Sequence, residues 1–253
     1  MARAHAGRFL LRIDDIDQSR ARATWEAQIY DDLKWLGVTW ESPVRRQSDH
    51  LDFYASALDT LALDGAVYPC SCNRRDIETA ASAPQEGQPQ FGPDGRIYPG
   101  TCRKRPYADR KQNDAVRYDL SKVIGEDLPA FTELGSDRRG EHHLTAEMLI
   151  GGIGDPVLAR PGMAASYHMS VVLDDAHCEV THVVRGMDLF DATFLHRFLQ
   201  RELGVPSPVY HHHRLIRDAA GKRLAKRDDA RAISTYRTEG ATPMDIRRMI
   251  GLD

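Results

Sequence analysis

The 253-residue sequence lacks any apolar run long enough to cross a membrane and has no export signal ahead of its body. Both absences argue against a membrane-anchored or secreted protein and for one that works in the cytoplasm. Cysteine is scarce, with four residues at positions 70, 72, 102 and 178. Such uneven spacing in a reducing compartment argues against a disulfide framework and leaves thiol or metal chemistry. Positive charge is not in excess: 34 Lys and Arg stand against 37 Asp and Glu, a net charge of -3. The strongly basic balance of a dedicated nucleic-acid-binding domain is therefore missing. Local charge says more, because Arg103, Lys104, Arg105, Arg110 and Lys111 form one basic cluster, and Arg214, Arg217, Lys222, Arg223, Lys226 and Arg227 form another. Each is either a solvated face or a surface that tracks phosphates. The rest of the composition, 42% hydrophobic and 28% charged, is that of a globular chain with one sizeable core and an insertion.

Apolar periodicity gives an α/β alternation. A strand is expected over 8–13, where GRFLLRIDDID runs from apolar residues straight into carboxylates, as a buried parallel strand does at its C-terminal edge. A helix over 20–36 carries Trp25, Ile29, Leu33 and Leu36 on one face and stops at Gly37, and a second carries Leu51, Tyr54, Leu58 and Leu61 up to Gly65. Both stripes read as core. The segment YHMSVVLDD is ambiguous between helix and strand. CEVTHVVRG reads as a strand with Val180, His182 and Val184 alternating, and 191–203 as an amphipathic helix.

Between 67 and 122 the chain turns rich in Cys, Pro, Gly, Arg and Gln. Its stretch ASAPQEGQPQFGPDG is too polar to fold unaided and reads as a loop. Cys70 and Cys72 flank that loop on one side and Tyr98 and Cys102 on the other, so a metal could staple its ends. Three thiolates and one further ligand satisfy tetrahedral zinc, and buried reduced thiols are the alternative. Cys178, in an apolar run, reads as core. Late in the sequence GKRLAKR, residues 221–227, holds cations on a loop entered through glycine. A triphosphate attacked at its α-phosphate needs mobile positive charge over the leaving pyrophosphate, and Lys226 is the candidate for it. A solvated basic turn is the bland reading of the same residues.

Taken in order, RIDDID, SYHMSVVLDD, THVVRGMDLFDAT and GKRLAKR resemble the catalytic domain of the class I glutamyl-tRNA synthetases, over nearly the whole chain. The match is closest to a short branch of that family, the glutamyl-queuosine tRNA(Asp) synthetases, which keep the catalytic domain and lack the anticodon-binding domain. Only about 26 residues follow the basic loop, too few for a further domain of ordinary size. The resemblance implies an α/β fold, a Rossmann-like doubly wound parallel sheet with its first βα unit missing and a zinc-binding insertion. It divides the chain into 1–66 and 123–228 as halves of the catalytic domain, 67–122 as the insertion and 229–253 as a C-terminal helical segment.

The implied activity is ATP-dependent activation of glutamate to glutamyl-adenylate, followed by transfer to the queuosine of tRNA(Asp). The glutamate α-carboxylate would attack the α-phosphorus in line, and no general base is needed because a carboxylate is already ionised at neutral pH. Carried over residue by residue, Arg185 holds a substrate carboxylate, Tyr167 hydrogen-bonds the amino acid and Asp14 faces its ammonium. An ion pair with Asp188 or Asp191 is the structural alternative for Arg185. Lys226 and Arg223 contact ATP, which arrives with Mg2+, and Lys226 is catalytic. Cys70, Cys72, Tyr98 and Cys102 hold a structural zinc. The resemblance further implies a cytoplasmic monomer with no membrane partner.

Several positions depart from the family. Asp14 stands where Glu is usual, withdrawing the carboxylate by about 1.5 Å; Arg223 and Ala225 replace a common Lys and Ser; the spacer before Tyr98 is long. The opening R-F-A-P-S-P-T-G strand and the H-x-G helix start, a βα unit of roughly thirty residues, do not occur, and His5 matches the end of the missing helix instead. That lack implies an exposed apolar edge and a poorly soluble product. A misplaced start codon is favoured over an inactive relic because the remaining motifs are mostly intact. Two other readings stand beside the main one: a truncated synthetase charging tRNA(Glu), and a noncatalytic zinc-stapled protein that binds glutamate or tRNA.

Overall fold

The computed structural model describes residues 1–81, 91–92, 95–123, 127–217 and 232–252. Along the chain run β1 (Arg12–Ile13), α1 (Ala23–Trp35), β2 (Arg45–Arg46), α2 (Leu51–Leu63), β3 (Val67–Cys70), α3 (Arg74–Ala81), β4 (Phe91–Gly92) and β5 (Gly95–Arg96). Then follow β6 (Ala115–Tyr118), β7 (Ala130–Glu133), β8 (Gly140–His143), β9 (Val157–Ala159), α4 (Tyr167–His177), β10 (His182–Gly186), α5 (Ala192–Glu202), β11 (Val209–His213), α6 (Ile233–Thr238) and α7 (Pro243–Ile250). They form two compact units, one of Met1–Asp49 with Leu215–Asp253 and one of His50–Arg214.

In the first unit β1 pairs in parallel with β2. The expected strand over 8–13 shrinks to its last two residues, and Phe9 and Leu10 are exposed. Helix α1 stops where glycine predicts, at Gly37 with φ 70. Its apolar stripe is not core: Trp25 is 51% and Ile29 42% exposed, and Leu33 and Leu36 are only half-buried. The buried hydrophobic residues described in this unit are Ile13 and Ile16. Helix α7 relies on its ends instead, with a reciprocal cap between Thr242 and Asp245, Pro243 in the first turn and Gly251 at φ 72 after the last.

The second unit holds the main core. Strands lie in the order β10-β11-β7-β8; β10, β11 and β7 are parallel and β8 closes the edge antiparallel. Helix α5 connects β10 to β11 as the crossover that parallel neighbours require, and its Phe194, Leu195, Phe198 and Leu199 are buried. This is the expected Rossmann-like pairing of parallel strands with helices. A separate antiparallel sheet, β3-β6-β9, carries the cysteine region.

Helix α2 buries Tyr54, Leu58 and Leu61 as its periodicity predicts, and the Tyr54 hydroxyl donates to both Asp174 oxygens on α4 at 2.8 and 3.0 Å. The ambiguous YHMSVVLDD is helix α4, with Val171 and Val172 buried; packing overrides the strand preference of β-branched residues. In β10 the alternation is real but the named face is the outer one: Val184 is 51% exposed, while Val183 and Arg185 are half-buried. Among the described residues no helix is long and apolar enough to cross a membrane.

Candidate active site and metal centre

Arg185 lies one residue before the C-terminal end of β10, opposite His212 of β11, the end where parallel sheets present ligand-binding groups. Its Nε donates to His212 Nε2 at 3.0 Å, Nη1 to His196 Nδ1 at 3.0 Å, and Nη2 to Thr193 Oγ1 at 2.8 Å and the Leu189 carbonyl at 3.3 Å. Thr193 and His196 stand three apart on α5, hence on one face. Beyond His212, Nδ1 meets Glu133 Oε2 at 2.5 Å, and Glu133 Oε1 accepts the backbone N–H groups of His212 at 2.9 Å and Gly135 at 2.5 Å. On the other flank His196 Nε2 meets His168 Nδ1 at 2.9 Å. The half-exposed Tyr167 ring packs on both these imidazoles, at 5.3 and 6.0 Å. The structure thus brings Tyr167 and Arg185 to one cluster.

Glu133, Thr193, His196 and His212 are at most 2% exposed, so the cluster is a desolvated polar network whose members are hydrogen-bonded to one another. Burial alone would raise the Glu133 carboxyl, but the His212 side chain and the His212 and Gly135 N–H groups outweigh it and hold the group below its usual range. Burial lowers His212, and the Arg185 charge adds to that against the pull of Glu133. Among the described residues the side-chain partners of Arg185 are His212, His196 and Thr193. Gly135 is required by close approach: a Cβ there would overlap the His212 carbonyl and stand 2.7 Å from Glu133 Oε1.

Five members of this cluster were not legible as site residues: Glu133, His168, Thr193, His196 and His212. Two weak signals existed. His168 follows Tyr167 inside a quoted block, and His212 shares a strand face with Tyr210, the alternate residue of β11.

The second centre joins Cys70 at the end of β3, Cys72 before α3, and Tyr98 and Cys102 in the following turn. The three sulfurs lie within 4.8 Å of one another, with Cys72 and Cys102 at 3.6 Å. The Tyr98 hydroxyl stands 3.4 Å from Cys70 Sγ and 3.5 Å from Cys72 Sγ, and accepts the Cys102 backbone N–H at 2.9 Å. Burial pushes the Cys72 thiol up to about 11. For Cys102 burial also acts upward, but the Tyr98 hydroxyl and the Ser71 N–H prevail and bring it to about 7. These soft donors can hold a metal ion. Cys178 is not core: it caps the end of α4, half-buried.

The remaining expected residues fall elsewhere. Asp14 lies in the first unit, where Arg12 Nε holds its Oδ1 at 2.6 Å. Arg223 and Lys226, with the whole GKRLAKR loop, lie outside the described residues, as does most of the polar stretch between the cysteine pairs. Within the first basic cluster, Arg103 is bound to Asp155 at 2.6 Å and Arg105 to Asp114 at 2.8 Å. The first ties the insertion to the turn before β9 and the second is internal to the insertion.

Parallel strands joined by a crossover helix, with a hydrogen-bonded arginine at their C-terminal end and an excursion that gathers three cysteines, define a Rossmann-like enzyme domain. The chain belongs to the catalytic-domain family of class I tRNA synthetases (E and Q), which matches residues 1–252. It is 59% identical over 256 residues to the glutamyl-Q tRNA(Asp) synthetase of Rhodobacter capsulatus, covering 100% of this chain and 91% of that one. It is 37% identical over 253 residues to the glutamyl-Q tRNA(Asp) synthetase of Rhodopirellula baltica, covering 98% and 75%. The fold is shared with a glutamate tRNA ligase from Elizabethkingia meningosepticum solved with its amino acid, at TM-score 0.67 and 21% identity, covering 96% of this chain and 53% of that one. Glutamate-tRNA synthetase from Elizabethkingia anophelis gives TM-score 0.69 and 20% identity, covering 96% and 54%. The chain spans about half the length of these two solved proteins.

Proposed function

We propose that this chain activates glutamate with ATP and transfers it to the queuosine of tRNA(Asp). The observation that carries the reading is Arg185, a half-buried cation that donates to two imidazoles, a hydroxyl and a backbone carbonyl, in the VVRG block through which the sequence resembles the glutamyl-tRNA synthetases. Its charge is available to a substrate carboxylate, and Tyr167, packed on the same imidazoles, orients the amino acid. The family pattern would give the ammonium to Asp14, whose Oδ1 is held by Arg12 in the first unit. Glutamate is held so that its α-carboxylate lines up with the α-phosphorus of ATP, and orientation of this kind supplies much of the rate in a reaction that needs no base. Lys226 and Arg223 would carry the charge of the departing pyrophosphate. Mg2+ enters with ATP and supplies further charge on the phosphates.

The cysteine centre fits zinc. Tetrahedral geometry with zinc–sulfur bonds of about 2.3 Å and a zinc–oxygen bond of about 2.0 Å sets sulfur–sulfur edges near 3.8 Å and sulfur–oxygen edges near 3.5 Å. The Cys72–Cys102 separation is 3.6 Å, and the Tyr98 hydroxyl is 3.4 and 3.5 Å from Cys70 and Cys72. Cys70, Cys72, Cys102 and Tyr98 would hold the ion, and four protein ligands would give it a structural role. No cysteine is in a disulfide, which leaves the thiols available as ligands.

The reading is tested by transfer of labelled glutamate to purified tRNA(Asp) with and without queuosine. Label on the queuosine-containing tRNA alone is the expected result. Charging of tRNA(Glu) instead would replace this reading with that of a tRNA(Glu)-charging synthetase.

A further inference from the structure

We infer that Glu133, His212, His196 and His168 are positioning residues that lock the Arg185 guanidinium in one orientation between neutral imidazoles, leaving one Nη1 hydrogen for the substrate and, among the described residues, no carboxylate in contact with the guanidinium. The inference rests on the reading of Arg185 as the carboxylate contact. It assigns work to residues distributed over β7, α4, α5 and β11.

The argument starts from donor counting. A guanidinium only donates, through five N–H groups, so both His212 Nε2 and His196 Nδ1 must accept from it. A neutral imidazole has one donor and one acceptor. His212 therefore carries its proton on Nδ1, where it meets Glu133 Oε2 at 2.5 Å. His196 carries its proton on Nε2 and donates to His168 Nδ1 at 2.9 Å, which leaves the His168 proton on Nε2. One fixed cation thus sets the tautomer of three rings. Protonating His212 or His196 would turn an N–H toward an Arg185 N–H, and the lowered pKa of His212 agrees with that penalty.

The choice of imidazole has an electrostatic consequence. Carboxylates in these positions would hold the arginine equally well and pair with it directly, whereas neutral rings hold it and keep the nearest carboxylate of the network, Glu133, one ring away. Glu133 supplies the anchor, because two backbone N–H groups fix its Oε1 while Oε2 fixes His212. Of the five Arg185 donors, Nε, one hydrogen of Nη1 and both of Nη2 are engaged among the described residues. The grip on a carboxylate is then a single hydrogen bond from Nη1 rather than a two-pronged one.

Glu133→Gln tests this without changing shape. Its amide oxygen can keep the two backbone N–H groups, and its NH2 then faces His212 Nδ1 as a donor. The His212 proton is driven to Nε2, against Arg185 Nε–H. Nitrogen-15 NMR of the imidazoles should show His212 protonated on Nδ1 in the parent chain and on Nε2 in E133Q. Calorimetry should show L-glutamate binding weakened about tenfold to a hundredfold, in line with a displacement of about 1 Å, with ATP binding unchanged. His212→Gln offers the same acceptor and donor and should keep glutamate affinity far better than His212→Leu; this pair decides the matter if E133Q does not fold. A cationic or Nε2-protonated His212 in the parent chain overturns the inference, as does a flipped tautomer with unchanged glutamate affinity. If the parent chain binds no glutamate, the reading of Arg185 fails, while the NMR result still judges the locking on its own.

Discussion

The cysteine centre and the arginine cluster lie in the same unit and are built on opposite plans. The cysteine centre gathers its members from residues 70–102, around the end of one short strand and the turns beside it, and its side chains meet one another through thiol contacts of 3.4 to 3.6 Å. The arginine cluster gathers Glu133, His168, Arg185, Thr193, His196 and His212 from two helices and three parallel strands, and every member is already bonded to another. The first is a staple that needs a ligand to close. The second is preorganised, so its geometry should be the same before and after substrate arrives.

That difference can be broken first at its most buried point. His212→Leu leaves the Glu133 carboxylate buried without the ring's N–H, and the loss should be about 1.5–3 kcal/mol of folding stability in urea titration. A loss near zero would mean that the network is not formed in solution. Cys72→Ser should come next: bound zinc falls below one per chain by atomic emission, and the melting temperature drops with it. Adding zinc should restore the parent chain after chelation and not the variant. If chelation leaves the melting temperature of the parent unmoved, the staple reading is wrong.

Acid should separate the two plans as well. His212, with its pKa lowered, stays neutral in the folded chain, so the unfolded chain takes up the proton first and stability falls as pH drops below about 6.5. Glu133, held below its usual range, is stabilising above about 4.3 and loses that contribution as pH falls further. Both signs point the same way. His212→Gln should flatten the melting-temperature profile between pH 6.5 and 5.5 relative to the parent, and an unchanged profile would remove His212 from the account. The smallest effect is expected from Tyr98→Phe, which keeps three sulfurs and should weaken zinc binding without emptying the site. Complete loss of zinc would make the phenol more than a fourth ligand.

The same contrast explains what the sequence disclosed. Cys70, Cys72 and Cys102 are rare residues at short spacing, and Tyr98 sits four residues before the last of them, so their meeting was legible. Arg185 and Tyr167 were legible only as parts of blocks that resemble a family. Glu133 and the histidines looked ordinary, because nothing in a sequence says that β11 will run parallel to both β10 and β7 and bring position 212 between 185 and 133. Local pattern misled in two places for a related reason. The Trp25 and Ile29 stripe has helical spacing, yet spacing does not say whether a partner covers it, and the alternation around Val184 was found without knowing which face packs. YHMSVVLDD was undecidable by propensity and is decided by burial of Val171 and Val172 on a helix.

Glutamate-dependent exchange of pyrophosphate into ATP tests the central claim most directly, measured on this chain and on an N-terminally extended form, with glutamine and aspartate as controls. The account expects exchange with glutamate, little or none with the controls, and its loss in Arg185→Ala. Exchange in neither form, or exchange that Arg185→Ala leaves untouched, would contradict it.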